Sequence, residues 1–92
     1  VQGTIAAANE RDTYTFTVTN AGTHTIETAG STDCFLTLFG PGNPATFIAQ
    51  DDDSGPGTNS RIAVNLAPGV YYAQVRHYSP TGTGSYSISV RT

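Results

Sequence analysis

The amino-acid sequence predicts an all-β domain, namely an antiparallel β-sandwich of two sheets with about eight strands in a jelly-roll or Greek-key arrangement. Two observations predict this class. Segments in which apolar and polar residues alternate recur roughly every ten residues, as in sandwiches built from short strands. Turns rich in glycine, proline and asparagine separate these segments, and a helical spacing of apolar residues occurs nowhere in the sequence.

The strands follow from this alternation. Residues 12–19 alternate apolar residues with threonines, which is typical of a half-buried strand, and a turn at 20–22 before the alternating segment 23–28 predicts a hairpin. The other strands are predicted at 3–6 (the weakest), 33–39, 46–50, 60–66, 69–78 and after Gly84. The residues predicted to face inward include Tyr14, Phe16, Val18, Ile26, Tyr71, Ala73, Val75, Tyr86, Ile88 and Val90.

The segment 66–71 contains a Pro-Gly turn before Tyr71. It is similar to a tyrosine corner, in which a phenol hydroxyl bonds the backbone where the chain crosses between sheets. The alternative is an ordinary turn followed by a core tyrosine. Both interpretations fit a sandwich.

Length and composition limit the function. The 92 residues fit a single domain, 1–92, with one core. Four arginines stand against seven acidic residues and lysine is absent, so the basic stripe of a nucleic-acid binder is missing. The sequence also contains no run long enough for membrane insertion and no signal peptide. Its abrupt ends lead us to expect a domain excised from a longer secreted polypeptide.

Catalytic motifs are absent from the sequence. It has no Gly-x-Ser-x-Gly, His-Glu-x-x-His or Cys-x-x-Cys pattern, and structural roles are predicted for His24 and His77 because both fall in strands. Cys34 is the only cysteine. It is predicted to be buried as a small apolar residue, the alternative being a bond to a cysteine outside this chain. We expect that the domain is not an enzyme.

An acidic loop at 51–59 is the most concentrated chemical feature. Its candidate metal ligands are Asp51, Asp52, Asp53 and Asn59. Calcium takes carboxylate and amide oxygens, and a cation would offset the repulsion among adjacent carboxylates. The alternative is that these side chains cap turns through backbone amides, with one acid paired to Arg61. Residue types alone leave both interpretations open.

Six short segments carry a family resemblance. They are DTYTF (12–16), LTLFGP (36–41), IAQDDD (48–53), NSRI (59–62), PGVYY (68–72) and GSY (84–86). In this order, over nearly the whole chain, they resemble the bacterial pre-peptidase C-terminal domain, which is related to the collagen-binding domains of clostridial collagenases. The resemblance implies a β-sandwich appended to a secreted bacterial protease or other hydrolase, with the catalytic domain in the same polypeptide.

The resemblance also implies two kinds of site. In the collagenase relatives calcium binds beside the first full strand, at positions that correspond to Asn9 and Asp12. The acidic linker that completes that site has no counterpart in residues 1–92, so the 51–59 loop is the better-equipped calcium site. Collagen is bound there by exposed tyrosines. Tyr72, Arg76 and Tyr78, predicted to point outward, form a similar strip, unless they only cover an edge of the sandwich.

These inferences together predict a non-catalytic accessory domain. We expect it to anchor its parent hydrolase to an insoluble extracellular polymer, either a collagen-like protein or a polysaccharide, because tethering makes a weak contact useful. The alternative is a maturation or secretion-assisting domain that proteolysis removes and that has no substrate affinity. A third interpretation is a cell-surface adhesion repeat.

Overall fold

Two antiparallel four-stranded sheets make up the computed structural model, which describes residues 2–30, 32–43, 45–51, 60–78 and 81–91. The strands are β1 (Gln2–Ile5), β2 (Arg11–Val18), β3 (Gly22–Ala29), β4 (Cys34–Phe39), β5 (Phe47–Asp51), β6 (Arg61–Leu66), β7 (Gly69–His77) and β8 (Gly84–Arg91). The front sheet has the order β2-β7-β4-β5, and the back sheet has the order β1-β8-β3-β6. The predicted β-sandwich class is confirmed.

The predicted hairpin between the second and third strands is wrong. β2 pairs with β7 in the front sheet, whereas β3 pairs with β6 and β8 in the back sheet. The turn at 20–22 therefore carries the chain from one sheet to the other. Turn composition marks where a strand ends, but it does not decide whether the next strand lies beside the first or across the core from it.

The core lies between the two sheets and is formed by alternate residues of their strands. Its buried apolar residues are Ile5, Val18, Ile26, Cys34, Leu36, Leu38, Ile62, Leu66, Tyr71, Ala73, Val75, Tyr86 and Ile88. Cys34 has no exposed area, so its predicted burial is confirmed. Tyr14 and Phe16 pack against this core while remaining partly exposed.

Val90 departs from the predicted pattern. It was expected to face the core, but it is 40% exposed. β1 pairs with β8 only between Gly84 and Ser87, so β1 does not cover the last residues of β8. Val90 instead lines an open groove with Tyr14, Phe16 and Ile88.

The tyrosine corner is confirmed. The buried Tyr71 hydroxyl donates a hydrogen bond to the carbonyl oxygen of Ala67 at 2.7 Å. Because Gly40 has no side chain, the backbone at this residue can approach the Tyr71 ring. A Cβ at position 40 would lie 2.9 Å from the Cδ1 of Tyr71. The φ of +132° at Gly40 is also a conformation that favours glycine.

Candidate functional site

The outer side of the front sheet carries rows of side chains that the strand register places next to one another. One row runs across all four strands through Thr15, Tyr72, Phe39 and Phe47. A second row contains Arg11, Arg76 and Phe35. The row between them is polar and consists of Thr13, Gln74, Thr37 and Gln50. We call Phe35, Phe39, Phe47 and Tyr72 the aromatic face.

These side chains point outward because their neighbours along each strand are buried. In β4, Cys34, Leu36 and Leu38 are fully buried, and the residues between them are partly exposed. In β7, Tyr71 and Ala73 are likewise buried on either side of Tyr72. Since successive strand residues face opposite sides, the core positions determine the composition of the aromatic face.

An irregularity in β5 brings Phe47 onto this face. Ala49 lies opposite Leu38, yet Phe47 lies opposite Phe39, so Ile48 is an extra residue in the ladder. Such a bulge redirects the side chains that precede it. Ile48 packs against the core, while the Phe47 side chain contacts Phe39 edge to face with ring centroids 6.4 Å apart. At 57% exposure, Phe47 is the most exposed large apolar residue that the structure describes.

Arg76 is held in place at the other end of the face. Its guanidinium carbon lies 4.3 Å from the centre of the Phe35 ring, which is a cation–π contact. Its Nη1 also donates to the carbonyl oxygens of His77 at 3.0 Å and Tyr78 at 3.3 Å. The opposite residue, Arg11, donates from Nη1 to Oε1 of Gln74 at 3.2 Å.

The structure places the three residues predicted to bind substrate along β7 and just beyond its end, with Tyr72 about 13 Å from Arg76. Tyr72 and Arg76 lie on the outer side of the front sheet, and Tyr78 is 54% exposed just beyond the end of β7. Sequence reasoning missed the three phenylalanines. Alternation with the core residues of β4 could have identified Phe35 and Phe39, but nothing in the sequence indicates the bulge that turns Phe47 outward.

The predicted metal ligands are only partly within the described residues. Asp52, Asp53 and Asn59 lie outside them. Asp51 ends β5, and its Oδ2 accepts a hydrogen bond from the backbone N–H of Arg61, ten residues further along the chain, at 2.8 Å. The Arg61 side chain forms an ion pair with Glu27. Over the described ranges, no group of three or more His, Cys, Asp and Glu side chains could hold a metal ion.

Asn9 and Asp12 lie around the start of β2. Asn9 has a left-handed backbone with φ of +63°, a conformation that asparagine tolerates better than most residues. Asp12 accepts a hydrogen bond from the Tyr86 hydroxyl at 2.6 Å, and the Tyr14 hydroxyl lies 2.6 Å from that of Tyr86. Burial, followed by the bond to Asp12, raises the pKa of Tyr86 far above its usual range. Asp12 therefore has a structural role in joining β2 to β8.

His24 and Cys34, two residues of types that can act as base or nucleophile, are both buried. His24 is buried, and its Nδ1 lies 2.9 Å from the carbonyl oxygen of Gly22. Burial raises the pKa of the Cys34 thiol to about 11, so the thiol is protonated at neutral pH. In the part of the chain that the structure describes, no helix is long and apolar enough to span a membrane.

Fold and site together define a small β-sandwich module with one open, aromatic sheet face. The family model of the bacterial pre-peptidase C-terminal domain matches residues 10–77, which is most of the chain. The protein belongs to this family. No curated protein sequence matches it significantly.

The fold is also found in solved structures. The pre-peptidase C-terminal domain of collagenase from Bacillus anthracis is 25% identical with a TM-score of 0.79, and the match covers 99% of this chain and 86% of that one. PliG from Aeromonas hydrophila, a periplasmic inhibitor of g-type lysozyme, is 21% identical with a TM-score of 0.68 over 99% of this chain and 83% of its own. The second match shows a likeness of fold alone.

Proposed function

We propose that this domain is a non-catalytic accessory module that holds a secreted bacterial protease or other hydrolase on an insoluble extracellular polymer. Membership of the pre-peptidase C-terminal family and the likeness to the corresponding domain of a collagenase support the link to a protease. The observation that carries the anchoring role is the aromatic face. The polymer is a collagen-like protein or a polysaccharide.

The aromatic face suits an extended polymer because it is an open sheet surface. Aromatic rings provide a large contact area while losing few rotatable bonds on binding. Tyr72 and Phe47 flank Phe39 in one row, so a chain laid across the strands would meet three rings in succession. Even a weak contact of this kind raises the local substrate concentration for a tethered catalytic domain.

Adsorption to insoluble polymers tests the proposal. The wild-type domain is incubated with insoluble collagen, chitin and cellulose, and the bound fraction is measured against protein concentration. Tyr72→Ala and Phe47→Ala are expected to bind about tenfold more weakly, which is the loss of an aromatic contact of about 1.4 kcal/mol. Tyr78→Ala tests whether the face extends beyond β7.

Val90→Ala is the matched control, because Val90 is also an exposed apolar residue but lies outside the aromatic face. It is expected to leave adsorption unchanged. If the wild-type domain adsorbs to none of the polymers, the anchoring role is wrong and the maturation role is favoured.

We also propose that calcium binds the acidic loop that begins at Asp51. The support is the sequence, which places three carboxylates and Asn59 within one loop, and hard oxygen ligands are those that calcium prefers. The bond from the Arg61 N–H to Asp51 positions the first of these carboxylates. Asn9 and Asp12 form a second candidate pair, in which Oδ2 of Asp12 is already engaged by Tyr86.

A further inference from the structure

Two arginines lie directly opposite each other on the outer side of the front sheet. Arg11 of β2 is the register partner of Arg76 of β7. Opposite residues of an antiparallel pair have their Cβ atoms about 5 Å apart, and like charges in this position destabilise the sheet. The arrangement is unexpected in a chain whose net charge is −3.

Neither of these arginines is neutralised by a carboxylate in the described part of the chain. The ion pairs found there join Arg61 and Arg91 to Glu27 on the back sheet. Within the described ranges, Arg11 and Arg76 form hydrogen bonds from Nη1 to neutral oxygens, and Arg76 also forms the cation–π contact with Phe35. Among the described residues, no partner is found for Nη2 or Nε of either guanidinium. These donors are therefore available to bind a ligand.

Both side chains are also held in position before any ligand arrives. Arg76 is fixed by an aromatic ring and two carbonyl oxygens, and Arg11 is fixed by Gln74. A guanidinium that is already ordered loses less side-chain entropy when it binds a planar oxyanion.

Arg11 and Arg76 both line a cavity of about 130 Å³. Its volume corresponds to about four water molecules, which is enough for a carboxylate or a sulfate group. Besides the two arginines it is lined by Ile5, Asn9 and His77, and by Gly82, where a Cβ would overlap the His77 ring. Glu10 also lines the cavity and weakens its positive potential, although its Oε1 accepts a hydrogen bond from the Ala6 N–H.

We infer that Arg11 and Arg76 form a subsite for the carboxylate or sulfate groups of an acidic polysaccharide. This inference rests on the proposed function, because it names the class of polymer that the aromatic face would bind. The row of Tyr72 and Phe39 is four residues along each strand from the arginine row, a distance of about 13 Å. A sugar chain can stack on the rings and place an acidic substituent at the arginines, which favours a polysaccharide over an acidic peptide.

Binding of soluble acidic polymers at low ionic strength tests the subsite. The probes are heparin for sulfate groups, polygalacturonate for carboxylate groups, hydroxyethyl cellulose as a neutral polymer and polyglutamate as an acidic peptide. The wild-type domain is expected to bind heparin, polygalacturonate or both. The double variant Arg11→Gln/Arg76→Gln is expected to bind at least about tenfold more weakly, and Glu10→Gln is expected to bind more tightly.

Arg91→Gln and Arg61→Gln combined form the matched control, since they remove the same charge from the back sheet. If this control loses as much affinity for the acidic polysaccharides as Arg11→Gln/Arg76→Gln does, the effect comes from net charge and the subsite is wrong. The subsite is also wrong if the wild-type domain binds polyglutamate as tightly as it binds the acidic polysaccharides. Failure to bind either acidic polysaccharide would also overturn it. If Tyr72→Ala still weakens adsorption to a neutral polymer, the proposed function stands without the subsite. Urea unfolding of each variant confirms that it is folded.

Discussion

Raising the pH from about 8 to about 10 is expected to destabilise the domain through Cys34. Burial of this side chain, and then the carboxylates of Asp33 and Asp12, raise the thiol pKa from an ordinary value of 9.0 to about 11. The folded state therefore holds the proton more tightly than the unfolded state. The thiol's contribution to stability is complete below its unfolded pKa and is lost as the pH rises toward its folded pKa.

Proton linkage gives the size of this effect. For one group with these two pKa values, the free energy of unfolding falls by roughly 1–1.5 kcal/mol between about pH 8 and about pH 10. A domain of this size has on the order of 5–10 kcal/mol in total, so the loss is measurable. Because the chain contains no lysine, the tyrosines and the terminal amine are the other groups whose ordinary pKa values lie near this pH range.

Urea-unfolding curves under reducing conditions at about pH 8, 9 and 10 measure the loss. Cys34→Ala is the control that removes the thiol. It is expected to be less stable at every pH, because it leaves a small cavity in the core, and to have a shallower decline with pH. The same decline in both proteins would show that the thiol titrates normally, which would refute the buried placement of Cys34.

Tyr86→Phe is expected to lower the free energy of unfolding by about 1.5–3 kcal/mol, because Asp12 loses a hydrogen bond to its charged carboxylate; a urea-measured loss below about 0.5 kcal/mol would contradict this bond. A chelator is expected to lower the melting temperature by on the order of 10 °C, the effect of losing calcium present at about a hundred times its dissociation constant. Asp53→Asn is expected to reduce that response, and a melting temperature insensitive to the chelator would rule out tight calcium binding.

Local alternation is enough to predict the strands, because burial with a period of two is a property of a few consecutive residues. The sequence locates all eight strands to within a residue or two of the observed ends at most positions. Which strands pair is a different matter. β2 and β3 follow each other in the chain yet belong to different sheets, since pairing depends on contacts between residues far apart in sequence.

The residues of the candidate site differ in the same way: local alternation predicts some of them, whereas others depend on contacts between distant strands. Tyr72 and Arg76 are predictable as outward residues, because they alternate with the core residues Tyr71, Ala73 and Val75. The position of Phe47 depends on a bulge, and the meeting of Arg11 with Arg76 depends on the register of two strands more than fifty residues apart. Neither feature has a signature within a short segment of sequence.

The charged residues on the outer sides of the two sheets are arranged differently, and this difference supports the proposal that the front sheet binds a ligand. On the back sheet, Glu27 accepts hydrogen bonds from Arg61 and Arg91 at 3.1 Å each, and these bonds, Arg61 first, lower the pKa of the carboxyl. Those arginines are thus already satisfied within the domain. On the front sheet, Arg11 and Arg76 face each other without forming an ion pair to a carboxylate among the residues described, on the same side as the partly exposed rings of the aromatic face. A ligand that carries both anionic groups and rings would pair with the two arginines and stack on the aromatic side chains. On the back sheet, Glu27 already pairs with Arg61 and Arg91.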